Sequence, residues 1–263
     1  MIDSMFSSYI NADVLLQDFV TALTPGAPGF ASTLTVLLIT FILGFLVYVY
    51  SFVLVLREGS APYPVWLHTF YFAADLMGVF VFWCAWNQCD HFWFFMLGCV
   101  GEIVWVGFEI FCLWKAITVE RIAIWGNDAP ASKAVLWCLA QIAIFFVSLN
   151  FLRVELGDVS MFKFWIFTQV LIVCVPGMFW STRKTRIGTC WQLVIVLVLV
   201  AVMSFNPNNM WALISPNYFS VEANPWYYAM GAVVCCFAVY DVWIYAKLPK
   251  KPERLANGKK PIW

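Results

Sequence analysis

Long apolar stretches alternate with short polar connections along the chain, and this pattern predicts membrane-spanning helices. Seven apolar runs are bounded by charged residues, Pro or Gly, and each has about the 20 residues that a helix needs to cross a bilayer. We therefore expect an all-α, polytopic membrane protein whose single domain, residues 33–246, is a seven-transmembrane-helix bundle. The predicted spans are residues 33–56, 65–86, 92–114, 134–152, 162–181, 188–205 and 226–246.

The composition agrees with a membrane protein and excludes several other classes. Of 263 residues, 63% are hydrophobic and 11% are charged, whereas roughly a quarter of a soluble domain is charged. Fifteen Lys and Arg balance fifteen Asp and Glu, so the net charge provides no argument for nucleic-acid binding. With two His, and nine Cys that form no CxxC motif, the sequence predicts buried free thiols and no metal site.

The segment before the first span, residues 1–32, is expected to be extracytoplasmic. It contains Asp3, Asp13 and Asp18 but no Lys or Arg, so it lacks the basic region of a cleaved signal peptide and is expected to be retained. The run Pro25–Gly29 separates it from the first span, because consecutive Pro and Gly residues interrupt a helix.

The basic residues predict the orientation of the helices. Thirteen of the fifteen Lys and Arg lie in connections on one predicted side or in the basic tail, residues 247–263, and only Arg153 and Lys163 lie on the other side. Because cytoplasmic loops carry the excess of Lys and Arg, we expect the N-terminus outside and the C-terminus in the cytoplasm. The longest external connection, residues 206–225, is rich in Asn and Pro. Its Trp211 and Tyr218, with Trp226 just after it, suit an interfacial belt or a lid.

Four acidic residues lie inside the predicted spans, where ionisable groups are costly and are functional by default. They are Asp75, Glu102, Glu109 and Asp241, and no Lys or Arg lies clearly within a span to pair with them. Burial without a cation favours the neutral carboxylic acid, which is a proton donor. These residues are the first candidates for chemistry.

Aromatic residues cluster beside the acids. Desolvated aromatic faces attract cations by roughly 0.5 to 2 kcal/mol and do not react with them. An acid beside aromatic rings suits carbocation chemistry, and it equally suits the binding of a flat lipophile. The aromatic candidates are Tyr71, Trp105, Phe108, Tyr240 and Trp243.

Motifs of other chemistries are absent. No lysine stands midway along the last span for a retinal Schiff base, and no DDxxD or NSE-like cluster is present to hold a magnesium diphosphate. The chain also lacks the DxDD motif of soluble protonating cyclases and the GxSxG, P-loop, HExxH and GxGxxG motifs. The sequence therefore leaves two alternatives, an enzyme whose chemistry does not involve phosphate or a protein without catalytic activity.

The order and spacing of these residues resemble the integral-membrane terpene cyclases of fungal meroterpenoid and indole-diterpene pathways and their bacterial relatives. The likeness covers roughly residues 33–250. It rests on an acid in the second span, in Phe72-Ala73-Ala74-Asp75, and on an acid in the third span, in Phe108-Glu109-Ile110-Phe111. Further along the chain, it rests on Gln169 followed by the basic loop Arg183–Arg186. In the last span, it rests on the segment Val239-Tyr240-Asp241-Val242-Trp243-Ile244-Tyr245. Asp75 stands where the family has Glu, the family's Asn and Trp before that acid are missing, and Glu102 is additional.

The resemblance implies an enzyme that cyclises a lipophilic prenylated substrate by protonating an alkene or epoxide, without a metal or cofactor. Asp75 or Asp241 would be the general acid and the other would orient the substrate or accept a proton, with Glu109 completing the polar group. The expected substrate-binding residues are Tyr71, Glu102, Trp105, Phe108, Gln169, Tyr240 and Trp243. The location would be a bacterial plasma membrane or a fungal endoplasmic reticulum, with membrane lipid as the surroundings.

Two other functions stay open at the level of the sequence. The four acids suit a proton relay in a proton-coupled small-molecule transporter. They also suit a non-catalytic lipophile-binding protein in which each acid only joins helices by hydrogen bonds.

Overall fold

The computed structural model describes residues 14–263, and this part of the chain is helical, without β-strands. The helices are α1 Val14–Ala22, α2 Phe30–Glu58, α3 Val65–Gln88, α4 Trp93–Thr118, α5 Arg121–Trp125, α6 Ala131–Glu155, α7 Phe162–Ser181, α8 Trp191–Phe205, α9 Met210–Ile214, α10 Pro216–Phe219 and α11 Pro225–Lys247.

Seven segments of the described chain are long and apolar enough to cross a membrane: α2, α3, α4, α6, α7, Trp191–Ile214 and α11. The prediction of an all-α protein with seven spans is therefore confirmed, and the chain is a multi-pass membrane protein. Most predicted boundaries agree within a few residues. The sixth span begins at Trp191 rather than at residue 188, and the one-turn helix α9 extends it beyond α8. The orientation of the termini stays a prediction.

The helix α1 lies within the predicted N-terminal segment, for which the sequence indicated no helix. Helix α2 begins directly after Gly29, whose φ of 77° is in the left-handed region, so the predicted break before the first span is present. Asp3 and Asp13 lie outside the described residues.

The helices group into two compact units. The first contains the chain up to Phe30 and Val65–Trp165, with helices α1, α3, α4, α5 and α6 and the beginning of α7. Here α3 packs against α4 and α6. Of the most apolar stretch of α3, 72% is buried, against 11% for α6, so α3 is the helix whose polar side chains are most shielded from the surroundings.

The connection between α6 and α7 satisfies its own polar groups. Arg153 is 4% exposed and donates hydrogen bonds to Asn150 and to the carbonyl oxygen of Val159. Asp158 accepts hydrogen bonds from the backbone N–H groups of Lys163 and Phe164, and so caps the first turn of α7.

The second unit contains residues 31–64 and 166–263, with α2, most of α7 and helices α8 to α11. Helix α8 packs against α11. In α7, Pro176 lacks the N–H that would bond to the carbonyl oxygen of Ile172, and Tyr63 approaches that oxygen at 3.5 Å.

The predicted external connection, residues 206–225, folds into the two short helices α9 and α10. Trp226, just beyond it, is 82% exposed and fits an interfacial anchor. Trp211 is 3% exposed and packs on Phe219, so it is a core residue and not a belt residue.

Candidate functional site

Three of the four predicted acids lie on the neighbouring helices α3 and α4 of the first unit. Asp75 is 2% exposed, Glu102 3% and Glu109 1%. Because seven residues make nearly two helical turns, Glu102 and Glu109 lie on the same side of α4, about 10 Å apart along its axis. The sequence prediction of buried acids within the spans is confirmed for these three residues.

Asp75 and Glu102 form a pair of buried carboxyl groups within electrostatic range of each other. Asp75 Oδ2 and Glu102 Oε2 make no hydrogen bond within the part of the chain that the structure describes. A buried carboxylate without a counter-charge or hydrogen bonds is costly, so this environment favours protonated carboxyl groups. The pair is the strongest candidate for a proton donor.

Aromatic side chains lie directly beside this pair, at a position made accessible by Gly78. A Cβ atom on Gly78 would lie 2.9 Å from Cζ2 of Trp165 and 3.0 Å from Cδ of Glu102. Gly78 follows Asp75 by three residues and therefore lies on the same side of α3. The Trp165 ring is nearly parallel to Phe82, with 6.5 Å between the ring centroids. The absence of a side chain at Gly78 thus lets the Trp165 indole and the Glu102 carboxyl group pack at the same position on α3.

Glu109 has a different environment. Its Oε2 atom lies 2.7 Å from Nδ1 of His68, and both side chains are buried. Cys112, one turn beyond Glu109 on α4, also interacts with His68. The expectation that all four acids lack a basic partner is therefore wrong for Glu109, because a histidine four residues into α3 reaches it. This pairing makes Glu109 a weaker candidate for a free proton donor than Asp75.

Asp241 belongs to the second unit, on α11, and is fully buried. Its carboxyl group lies against the backbone of α7 at Gly177, where a Cβ atom would be 2.1 Å from Oδ1. Neither carboxyl oxygen makes a hydrogen bond of normal geometry with a described residue. The residue before Gly177 is Pro176, so an acid faces α7 at the turn that the proline interrupts. The predicted burial of Asp241 is confirmed.

Three predicted aromatic residues lie near the acids of the first unit. Tyr71 is 7% exposed and stands one turn before Asp75 on α3, with its ring edge-to-face with Phe70. Trp105 is half-buried and lies one turn from both Glu102 and Glu109, on their side of α4. Phe108 is half-buried and adjoins Glu109 in the chain.

The other predicted substrate-binding residues lie in the second unit, on α7 and α11. Trp243 is 51% exposed, and Lys247 Nζ lies 5.0 Å from its ring centroid. Two residues along a helix turn the side chain by about 200°, so Trp243 lies on the face of α11 opposite Asp241 and does not flank that acid. Tyr240 is half-buried and stacks on Trp243, and its Cδ1 atom would lie 3.0 Å from a Cβ atom on Gly177, the position that Asp241 also contacts. Gln169 is half-buried on α7.

The sequence did not indicate three residues of these sites: Cys112, Trp165 and Gly177. Gly177 matters through the close approach of α11, which a single sequence does not reveal. Cys112 carried a signal, since Glu109 and Cys112 have the i, i+3 spacing of neighbours on one helix face. Its partner His68 comes from another helix, 41 residues earlier.

None of the protein-family models, curated proteins or solved structures compared with this chain matches it. The resemblance to membrane terpene cyclases thus stays a prediction from the sequence.

Proposed function

We propose that this protein is a membrane-embedded terpene cyclase that protonates a lipophilic prenylated substrate with a buried carboxylic acid, without a metal. The observation that supports the proposal is the Asp75–Glu102 pair, which is buried in the first unit with Trp165 and Tyr71 nearby. Asp75 is the proposed proton donor. In the second unit, Asp241 is the alternative candidate for the proton donor.

The proposed reaction conserves atoms and electrons. The carboxylic acid transfers its proton to an alkene carbon or an epoxide oxygen, and the carboxylate remains. A neighbouring alkene attacks the resulting cation and closes a ring, and loss of a proton to a carboxylate ends the sequence. The product is an isomer of the substrate. Aromatic faces stabilise the intermediate cation without capturing it, and exclusion of water prevents its hydration.

A variant series in native membranes tests this proposal. Membranes containing the parent protein, Asp75→Asn, Glu102→Gln or Asp241→Asn are incubated with prenylated quinols, phenols and indoles, each with and without a terminal epoxide. Mass spectrometry and NMR then measure cyclic products of unchanged mass. Asn keeps the shape of Asp but does not act as a carboxylic acid, so the donor variant should lose about 10²- to 10⁴-fold in rate.

Glu155→Gln is the matched control, because Glu155 is an exposed acid at the end of α6. It should retain the parent rate. Equal rates for the parent and both Asp variants contradict the assignment of these acids, and failure of the parent to convert any of the substrates contradicts the cyclase itself.

The arrangement of acids along α3 and α4 favours one other function, a proton-coupled transporter. Asp75 lies within electrostatic range of both Glu102 and Glu109, so protonatable groups follow one another along these helices. In sealed vesicles, substrate movement that dissipates a pH gradient and stops in Asp75→Asn would support transport. Formation of an isomeric product in open membranes would support the cyclase.

A further inference from the structure

A second group of buried polar side chains lies on α3 and α4, beside the acid pair. It consists of His68, Glu109 and Cys112, and we call it the His68–Glu109–Cys112 cluster. One ligand atom from each residue lies within 4.8 Å of the other two. The residues are 5%, 1% and 6% exposed. An imidazole, a carboxylate and a thiol group therefore meet in the interior, between two helices that are long and apolar enough to cross a membrane.

We propose that this cluster is a binding site for a divalent transition-metal ion of the Zn²⁺, Co²⁺ or Fe²⁺ type. The three donor atoms are N, O and S, and such a mixed, partly soft set favours these ions over Mg²⁺ and Ca²⁺, which prefer oxygen ligands. Glu109 and Cys112 are three residues apart and lie on one face of α4, and His68 approaches from α3. The ion would therefore link the two helices.

The distances suit such an ion after small side-chain movements. Donor atoms around a tetrahedral Zn²⁺ lie roughly 3.3 to 3.8 Å apart, as bonds of about 2.0 to 2.3 Å require. The His68–Glu109 contact of 2.7 Å is a hydrogen bond that must open slightly, and the other separations, which are within 4.8 Å, must close by at most about 1 Å. Three protein ligands leave one tetrahedral position for water or another small molecule.

The charge of the occupied site also suits its surroundings. A neutral imidazole, a carboxylate and a thiolate together carry two negative charges, and a divalent cation neutralises them. Because net charge is costly in the hydrocarbon region, this balance favours a divalent ion over a monovalent one. Binding displaces the thiol proton of Cys112 to solvent, since the thiolate is the metal ligand.

An ion has a short route to the cluster. His68 is three residues from the first residue of α3, and Cys112 is six residues from the last residue of α4, distances of about 5 and 9 Å along the helix axes. Both helix ends face the same side, because the short connection 89–92 joins α3 and α4 at their opposite ends. The site is thus reached from one membrane surface without crossing the bilayer midplane.

Cobalt titration of the full chain in detergent micelles tests the proposal. The protein carries a purification tag without histidine and is stripped with chelator before addition of Co²⁺. We expect one Co²⁺ per chain, a thiolate-to-cobalt charge-transfer band, and loss of that band when Zn²⁺ is added. Cys112→Ser and His68→Gln should each weaken binding by more than the roughly 10- to 100-fold that loss of an outer hydrogen-bond partner costs.

Two matched variants serve as controls. Cys138→Ser changes another buried cysteine, and His91→Gln changes the only other histidine of the chain. Both should bind Co²⁺ as the parent does. Equal binding by Cys112→Ser and the parent would overturn the proposal. A parent spectrum without the thiolate band would also overturn it, and this measurement decides the question even when Cys112→Ser does not fold. Because binding is measured directly, failure here leaves the cyclase proposal to its own test.

Discussion

The buried charged residues differ in how their polar atoms are satisfied. Asp75, Glu102 and Asp241 each keep a carboxyl oxygen without a hydrogen bond to any described residue, whereas Glu109 contacts His68. A group that is buried without full compensation lowers stability, so its presence indicates a use. We therefore expect reactivity at Asp75, Glu102 or Asp241 before Glu109.

Glu58, at the end of α2, differs from these acids because its buried carboxylate accepts several hydrogen bonds. Its carboxylate accepts hydrogen bonds from Lys251 Nζ at 2.6 Å, from Ile262 N at 2.7 Å and from Gly188 N at 2.8 Å. Burial lowers the pKa of Lys251, and its hydrogen bond with Glu58 opposes this change. These contacts hold the basic tail against the second unit.

Replacing Lys251 by Met should destabilise the protein. Removal of one partner of a buried ion pair costs about 3 to 5 kcal/mol, and we expect the lower end because Glu58 keeps two backbone donors. The measurement is the free energy of unfolding in mixed micelles during titration with SDS. Lys250→Met, at an exposed neighbouring lysine, should change it by less than about 0.5 kcal/mol. Equal stability of the two variants would show that the ion pair contributes little.

At the scale of helices, glycine determines how closely α8 and α11 approach each other. A Cβ atom on Gly231 of α11 would lie 2.5 Å from Cβ of Phe205, at the end of α8. Because that atom is the root of the Phe205 side chain, rotation of the ring does not relieve the overlap. In membranes, small residues at helix interfaces permit the close contact that replaces hydrophobic association in water.

The variant Gly231→Ala should separate these two helices and destabilise the protein by about 1 to 3 kcal/mol, the usual cost of overpacking. Thermal unfolding in micelles, followed by circular dichroism, measures the effect. Gly101→Ala is the control, since a Cβ atom on Gly101 of α4 would meet nothing within 4 Å. That change should be neutral or stabilising by up to about 1 kcal/mol, because Ala is the better helix former. A stability of Gly231→Ala equal to the parent's would argue against close packing here.

At the scale of the whole molecule, the distribution of charge predicts the topology. Seven consecutive membrane spans must alternate in direction, and the connections that this alternation assigns to one side hold nearly all the Lys and Arg. Positive loops are retained in the cytoplasm, so residue 208 should be outside and residue 256 inside.

Labelling of intact cells with a membrane-impermeant thiol reagent tests this orientation. Asn208→Cys should react in intact cells, and Ala256→Cys should react only after the membrane is opened; both positions are exposed in the structure. The parent, with its nine free cysteines, sets the background for both variants. The reverse pattern would place the C-terminus outside.

The number and type of the helices and the depth of the acids follow from the sequence alone. Apolar runs of bilayer length leave a chain no alternative to helices, since every backbone polar group in lipid must be satisfied within its own segment. The position of Asp75 or Asp241 within such a run then places it inside the membrane. These properties are local, so they could be predicted from one chain.

Which buried groups contact one another depends on the tertiary structure. The contacts of Glu109 with His68, of Glu102 with the Gly78 position and of Asp241 with Gly177 join residues from different helices. In lipid, helix faces are uniformly apolar, so hydrophobic periodicity does not mark the side that packs against another helix. The rotation of each helix about its axis, and with it the partner of each buried acid, follows from the packing of small and large side chains between helices. That packing made Glu109 a partner of His68, and it gave Asp75 and Glu102 no ion pair with any described residue.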